Sequence, residues 1–418
     1  MDPNSQNNDS KSKIHKSKGI RKIKSIKTKR LSTTNSYKSL QKSEKNERKQ
    51  SAQIIDYKLS FKVGVSEEKN SKFRKTMEDV HTYISNFNET LDCGYFALFD
   101  GHAGVETANW CGKYLHLLLK KKIEEKKISS HSIDIKGCLN DTFQEADFLI
   151  ESHPNKIGLR GGSTAAVAVV LWEKNEKQTN DKYKDKYKDK ENFNDNDNDN
   201  DDIKYNKLRK IFDYVPPNDN YKRVLYTANV GDSRIILCRN GFAIRLSYDH
   251  KGGDSNESTR IVNSGGMIIR NRVNGILAIT RALGDCYMKE LVIAKPYTTS
   301  LEMTRDDDFL IIACDGLWDI VKDQEAVDLI KDVKDCDKAS KILSDYAIKN
   351  GSMDNITIMV VRFDQRIFDY KDDKKVKKNS FENPETEKSS RIRYGNRERR
   401  FSILEPACII TLNKSSKH

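Results

Sequence analysis

Two apolar runs in this chain end in the same way. Tyr95-Phe96-Ala97-Leu98-Phe99 leads into Asp100-Gly101, and Phe309-Leu310-Ile311-Ile312-Ala313-Cys314 leads into Asp315-Gly316. A carboxylate at the exit of a buried strand is costly unless it is paired or bound to a cation. The glycine after each acid permits an unusual backbone turn and the close approach of a ligand. One such Asp-Gly is ordinarily a turn; two in matched settings point to a shared task. Further acids stand in similar places: Glu78-Asp79 after Arg74, Asp232 in Gly-Asp-Ser-Arg, Asp319 four residues after Asp315, and Asp354 beside Asn355. Hard cations such as Mg²⁺ or Mn²⁺ take oxygen-rich ligand sets of this kind, whereas zinc favours His and thiolate. Two such ions lower the pKa of a shared water and clamp a phosphoryl group. Cysteine-based phosphatase chemistry is disfavoured, because no Cys is followed by Arg at the sixth position after it.

The elements that must position these acids are short. Strands are expected at 95–99, 163–172, 223–229, 234–238, 242–246, 309–314 and 356–363, each rich in β-branched or aromatic residues and bounded by turn signals. Asn240-Gly241 between two of them is a type I′ hairpin signal. Helices are expected at 105–127, 136–152, 324–333 and 338–349. In the first, Val105, Ala108, Cys111, Leu115 and Leu118-Leu119 recur at helical spacing. Asn350-Gly351 stops the last. Several strands follow one another directly, which favours an antiparallel α+β sandwich over a parallel α/β sheet.

The motifs occur in a fixed order across nearly all of 57–363, and there the chain resembles the type 2C family of metal-dependent protein phosphatases. The matching segments are Arg74-Lys75-Thr76-Met77-Glu78-Asp79, Phe99-Asp100-Gly101-His102-Ala103-Gly104, Gly162-Ser163-Thr164-Ala165 and Asn229-Val230-Gly231-Asp232-Ser233-Arg234. They continue with Asp249-His250-Lys251, Arg272-Val273-Asn274-Gly275, Arg281-Ala282-Leu283-Gly284-Asp285, Ala313-Cys314-Asp315-Gly316-Leu317-Trp318-Asp319 and Asp354-Asn355-Ile356-Thr357. The resemblance implies a central β-sandwich of two antiparallel sheets flanked by helices, a four-layer architecture with a binuclear Mg²⁺ or Mn²⁺ centre at one edge. It implies that Asp100 bridges both ions, that the carbonyl of Gly101 ligates one, and that Asp315 and Asp354 ligate the other. Glu78 and Asp79 would hold water molecules of the metal shell, Arg74 would grip the substrate phosphate, and His102 would protonate the leaving alkoxide. Asp232 and Asp319 would match a weaker third ion site. Asp285 and His250 are read as structural members of hydrogen-bond networks. The chain departs from the family at Gly252-Gly253, where many members carry Pro, so a more flexible loop is expected there.

Charge divides the chain into parts. The net charge of +13 resolves into +11 over 1–50, +6 over 366–418 and −4 between them. Residues 1–50, rich in Lys, Ser and Asn, and the basic 366–418 tail are expected to be disordered, because neither can bury enough surface to offset ordering entropy. A phosphatase domain is expected over 51–365, with a low-complexity insert at 174–222 expanding the loop of a hairpin. The eight cysteines are scattered without a C-x-x-C pair, which argues against a zinc site or disulfide framework. No apolar run approaches the ~20 residues of a membrane helix, no secretory signal is evident, and a cytoplasmic or nuclear monomer is expected. The basic tails carry no aromatic interleaving, so nucleic-acid or membrane binding is not indicated. The expected partners are phosphoserine and phosphothreonine proteins. The rival from another class is a catalytically weak relative serving as a phosphoprotein-binding scaffold, which the intact acids at 100, 315 and 354 oppose.

Overall fold

Strand β3 (Gly94–His102) shows how the layers arise. Successive side chains of a strand point to opposite faces. Phe96 and Leu98 enter one core cluster, while Tyr95, Ala97 and Phe99 enter another on the other face. A strand buried on both sides reads as a continuous apolar run, and this one must sit between two layers. The computed structural model describes residues 39–43, 58–129, 133–152, 161–174 and 221–371.

One sheet carries β3 at its middle. β2 (Asp79–Ile84) pairs with it on one side, and β4 (Gly162–Ser163) and β5 (Ala165–Lys174) on the other. β6 (Tyr221–Val230) and β12 (Tyr297–Glu302) extend it past β5, and β11 (Leu283–Gly284) extends it past β4. The second sheet runs β1 (Phe61–Glu68), β14 (Ile356–Phe363), β13 (Asp307–Ala313), β7 (Arg234–Arg239) and β8 (Phe242–Arg245). Every pairing within both sheets is antiparallel.

Between the sheets lie Phe96, Leu98, Ala166 and Val170 against Ile235, Leu310, Ile312 and Met359. On the outer face of the first sheet, α1 (Glu106–Ser129) and α2 (Ile135–Ser152) supply Leu115, Leu118, Leu139 and Phe143. α5 (Asp323–Ile330) and α6 (Cys336–Lys349) cover the second sheet with Val327, Ile330, Leu343 and Ala347. The order helix, sheet, sheet, helix is the four-layer α+β sandwich. A smaller cluster of Ile261, Val273, Ile279 and Val292 packs a flap built from α3 (Ser255–Asn263), β9 (Ile268–Ile269) and β10 (Arg272–Val273). The remaining short helix, α4 (Asp315–Trp318), starts where β13 ends.

The structure adds elements that the sequence patterns do not announce. β2 carries three buried polar residues, Asp79, His81 and Thr82, and its alternation is hidden by them: His81 Nδ1 meets Glu67 Oε1 at 2.8 Å, and Thr82 Oγ1 donates to the Gly112 carbonyl at 2.9 Å. α3 begins at an Asp254 cap, whose carboxylate accepts from the backbone N–H groups of Asn256 and Glu257. Two segments expected to be disordered carry some described structure. Residues 39–43 are helical and bury Leu40 in the core between the first sheet and its helices, and Ile367 and Phe368, beyond position 365, are buried in the core between the sheets. In each case one or two large apolar side chains reach a core that average composition does not reveal. The rest of the 1–50 and 366–418 assignments falls outside the described residues.

Most of the 174–222 insert also lies outside them, but its ends are fixed. β5 and β6 pair in register from Ala165 opposite Val230 to Lys174 opposite Tyr221, so positions 174, 221 and 222 belong to strands. Replacing residues 175–220 by an Asn-Gly turn should therefore leave intact the fold and the phosphatase activity that the family resemblance implies, since the length of a connection between paired strands costs little closure entropy. Circular dichroism together with phosphopeptide turnover checks this, and folded but inactive protein would contradict it.

Candidate active site

The acids meet at one edge of the sandwich because the strands that carry them end there. Asp79 opens β2 and stands directly opposite Asp100 in the β2–β3 register, so the two carboxylates are cross-strand neighbours. Gly101 donates its N–H to the Glu78 carbonyl at 3.2 Å. A Cβ at Gly101 would lie 2.6 Å from that same oxygen, so only glycine allows this approach. On the facing sheet, Asp315 begins α4 at the exit of β13, and Asp354 precedes β14. A Cβ at Gly316 would fall 2.0 Å from the Asn355 carbonyl, and Ser352 Oγ donates to the Gly316 carbonyl at 2.8 Å. The two matched Asp-Gly exits are thus close-approach glycines.

Asn355 ties the two halves together. Its Oδ1 accepts from the Glu78 N–H at 2.9 Å, and its Nδ2 donates to the carbonyls of Lys69 and Thr76 at 2.8 and 3.0 Å. Asp232 sits in the turn between β6 and β7, after Gly231 with φ 86°. His250 braces that turn through Nδ1 and the Gly231 carbonyl at 3.1 Å, and burial lowers its pKa to about 4. This matches its structural reading.

A cleft of about 270 Å³ is lined by Arg74, Glu78, Asp100, Gly101, His102, Asp232, Arg272, Asp315 and Asp354 among others. Burial, followed by the charges of Asp79, Asp315, Asp232 and Asp354, drives the Asp100 carboxyl well above its ordinary range. Asp315 is raised likewise by burial and then by Asp232 and Asp354. Burial pushes Asp79 up to about 6, partly opposed by hydrogen bonds from Thr357 and Cys314. Asp232 is raised by burial, with Lys251 acting against it. Like charges gathered out of water shift in this direction when no cation neutralises them.

Metal-ligand atoms of Asp79, Asp100 and Cys314 lie within 4.8 Å of one another. The Cys314 thiol is held protonated by burial and then by the charges of Asp79, Asp100 and Asp315, and it contacts the Asn355 carbonyl at 3.4 Å. It is a neutral wall of the site. The anionic donors are then all carboxylate oxygens, a set that fits a hard divalent cation.

Two cationic side chains and an imidazole complete the geometry. Arg74 pairs with Asp354 through Nη2, and its Nε donates to the Met353 carbonyl at 3.4 Å. Lys251 Nζ stands between the acids assigned to a third ion, 2.8 Å from Asp319 Oδ1 and 3.4 Å from Asp232 Oδ2. His102 Nε2 lies 2.9 Å from both carboxylate oxygens of Asp285. The Gly252-Gly253 loop that follows Lys251 packs closely: a Cβ at Gly252 would meet the Asn271 carbonyl oxygen at 2.3 Å.

A family profile for protein phosphatase 2C matches residues 63–174 and 172–356. The chain belongs to the protein phosphatase 2C family. Among its relatives, "Protein phosphatase 2C homolog 1" of Saccharomyces cerevisiae is 45% identical over 305 residues, covering 73% of this chain and 94% of that one. The Schizosaccharomyces pombe protein of the same name is 40% identical over 300 residues, covering 71% and 72%. A solved phosphatase from Toxoplasma gondii has the same fold, with a TM-score of 0.52 at 22% identity over 73% of this chain and 94% of that one. The sandwich described above is therefore a protein phosphatase 2C domain, and the chain is a protein-serine/threonine phosphatase.

Within this phosphatase 2C site, the structure brings together every acid singled out from the sequence, with Asp319 at the exposed rim on Lys251. Sequence patterns did not reveal the contacts of Lys251 or the engagement of Asp285 with His102. Gly284-Asp285 was the available signal: an acid that follows a short apolar run, as at Asp100 and Asp315.

A carboxyl whose pKa is higher in the folded chain keeps its proton longer when folded. The cluster thus favours folding below about pH 4, and that contribution is lost as pH rises through about 6 for Asp79, at a cost on the order of 3 kcal/mol for this group. In chelator the melting temperature should fall between pH 5 and 7.5, and saturating Mn²⁺ should restore it at pH 7.5. Asp100→Asn should raise the melting temperature in chelator and abolish the Mn²⁺ shift. A wild-type melting curve indifferent to Mn²⁺ would contradict this account of the cluster.

Proposed function

We propose that this phosphatase hydrolyses phosphoserine and phosphothreonine in protein substrates at a binuclear Mg²⁺ or Mn²⁺ centre. The observation that carries the reading is the convergence of Asp79, Asp100, Asp232, Asp315 and Asp354 on one cleft edge that also presents Arg74 and His102. Asp100, the Gly101 carbonyl, Asp315 and Asp354 would hold two ions, and Asp232 with Asp319 a weaker third once Lys251 withdraws from between them. Bound there, the ions would supply an acidified water and charge neutralisation at the phosphoryl oxygens.

The remaining work falls to the chain's own residues. Arg74 already pairs with an oxygen anion at the cleft, and its planar fork suits two phosphoryl oxygens equally. Glu78 accepts from Thr76 Oγ1 at 2.8 Å and from the Gly104 N–H at 3.2 Å, which sets its carboxylate beside the Asp100-Gly101 turn to orient water. Asp79 does the same from β2. As a water oxygen bonds to phosphorus and the ester P–O bond breaks, His102 donates a proton to the departing serine oxygen, giving the free alcohol and inorganic phosphate.

A serine alkoxide is strongly basic and needs that proton, and a positioned imidazole is worth about 10²–10⁴ in rate. A nitrophenolate leaves unaided. His102→Gln should therefore slow phosphoserine-peptide hydrolysis by about 10² or more while slowing nitrophenyl phosphate hydrolysis far less. Asp100→Ala and Asp315→Ala should abolish turnover of both, as should exhaustive chelation. Equal losses on both substrates in His102→Gln would withdraw the proton-donor role, and full activity after chelation would withdraw the metal centre.

A further inference from the structure

Asp285 is fully buried, and among the described residues the one side chain on its carboxylate is the imidazole of His102, which lines the cleft and keeps a quarter of its surface exposed. A carboxylate out of water without a partner is costly, so this acid is built around that ring. The backbone confirms the effort. Asp285 sits at φ 49°, a left-handed conformation that a non-glycine residue adopts at a cost, and Gly284 before it at φ 85°. Its own N–H donates to the Gly161 carbonyl at 3.3 Å, and its carbonyl accepts from Met288 N–H at 2.9 Å.

The neighbouring strand is shaped to the same contact. Gly162 pairs with His102 on one side and Gly284 on the other. A Cβ on Gly162 would lie 2.3 Å from Asp285 Oδ2 and 2.6 Å from His102 Nε2. The space between these three strands is therefore the space in which the carboxylate and the ring meet. A glycine, a strained turn and a buried acid converge on one nitrogen.

We propose that Asp285 is a positioning residue for the phosphatase reaction, holding the His102 ring by its Nε2–H so that Nδ1 is the nitrogen presented to the leaving group. This rests on the proton-donor reading of His102. In the step, a water oxygen bonds to phosphorus as the ester P–O bond breaks, the Nδ1 proton passes to the departing serine oxygen, the Nε2 proton stays on the ring in its hydrogen bond to Asp285, and solvent, which takes up the proton shed by the water, returns one to Nδ1 after product leaves. A carboxylate locking one imidazole nitrogen fixes both the ring orientation and which nitrogen carries the exchangeable proton.

Asp285→Asn preserves shape and is the informative variant. It should lower kcat on phosphoserine peptide by about 10- to 10²-fold, a part of what a positioned imidazole supplies, with little change in KM. Its effect on nitrophenyl phosphate should be several-fold smaller. In a His102→Gln background the same substitution should add little further loss on the peptide, because its effect passes through the ring. Gly162→Ala, which drives a methyl between the pair, should reproduce the substrate split. Melting temperature with and without Mn²⁺ separates misfolding from these effects. The proposal is overturned if folded Asp285→Asn slows both substrates alike, or if its loss multiplies fully with that of His102→Gln. If instead His102→Gln itself shows no substrate split, the proton-donor reading fails first, and that outcome is distinct from a split in His102→Gln that Asp285→Asn does not share.

Discussion

The constraint on which this fold depends is the gathering of like charges at a place that water hardly reaches. Asp79, Asp100, Asp232 and Asp315 all have their carboxyls pushed up by burial; Asp100 is pushed further by Asp79, Asp315, Asp232 and Asp354, Asp315 by Asp232 and Asp354, and Asp79 by Asp354. No sequence keeps such a cluster for stability alone, because replacing any one acid by a neutral residue would relieve repulsion. The four layers act as a vice. Apolar strands packed on both faces fix the positions of their ends, and the acids occupy those ends with nowhere to retreat.

The local glycines and polar clamps follow from the same constraint. Gly101 and Gly316 let the facing loops come within contact of Glu78 and Asn355, and Asn355 joins the Arg74–Glu78 segment to the Asp354 turn. The cations at the rim, Arg74 and Lys251, each lean on acids of the cluster. They moderate its charge while leaving the floor of the cleft to Asp100. His102 stands on the same β3 exit, two residues past Asp100, and is steadied from behind by Asp285.

Much of this was legible in the sequence. The matched Asp-Gly exits at 100 and 315 announced themselves, because a strand that packs on both faces must be an uninterrupted apolar run and the acid ends it abruptly. The hairpin across the insert was legible for the same reason. What could not be read lies in contacts between distant positions. Asp285 is 183 residues from His102, and Lys251 lies 68 from Asp319; neither pairing has a local pattern. β2 escaped because its buried His81 and Thr82 look exposed until Glu67 and Gly112 are placed beside them. Leu40 escaped because one apolar side chain in a basic segment carries no periodicity.

We propose that this carboxylate edge exists to hold two hard cations that share Asp100. Crystals of the protein grown with Mn²⁺ and measured at the manganese absorption edge test it most directly. The account predicts two anomalous peaks flanking the Asp100 carboxylate, one within ligand distance of the Gly101 carbonyl and the other near Asp315 and Asp354. No peak at the cleft, or a single ion that leaves Asp100 uncoordinated, would contradict it.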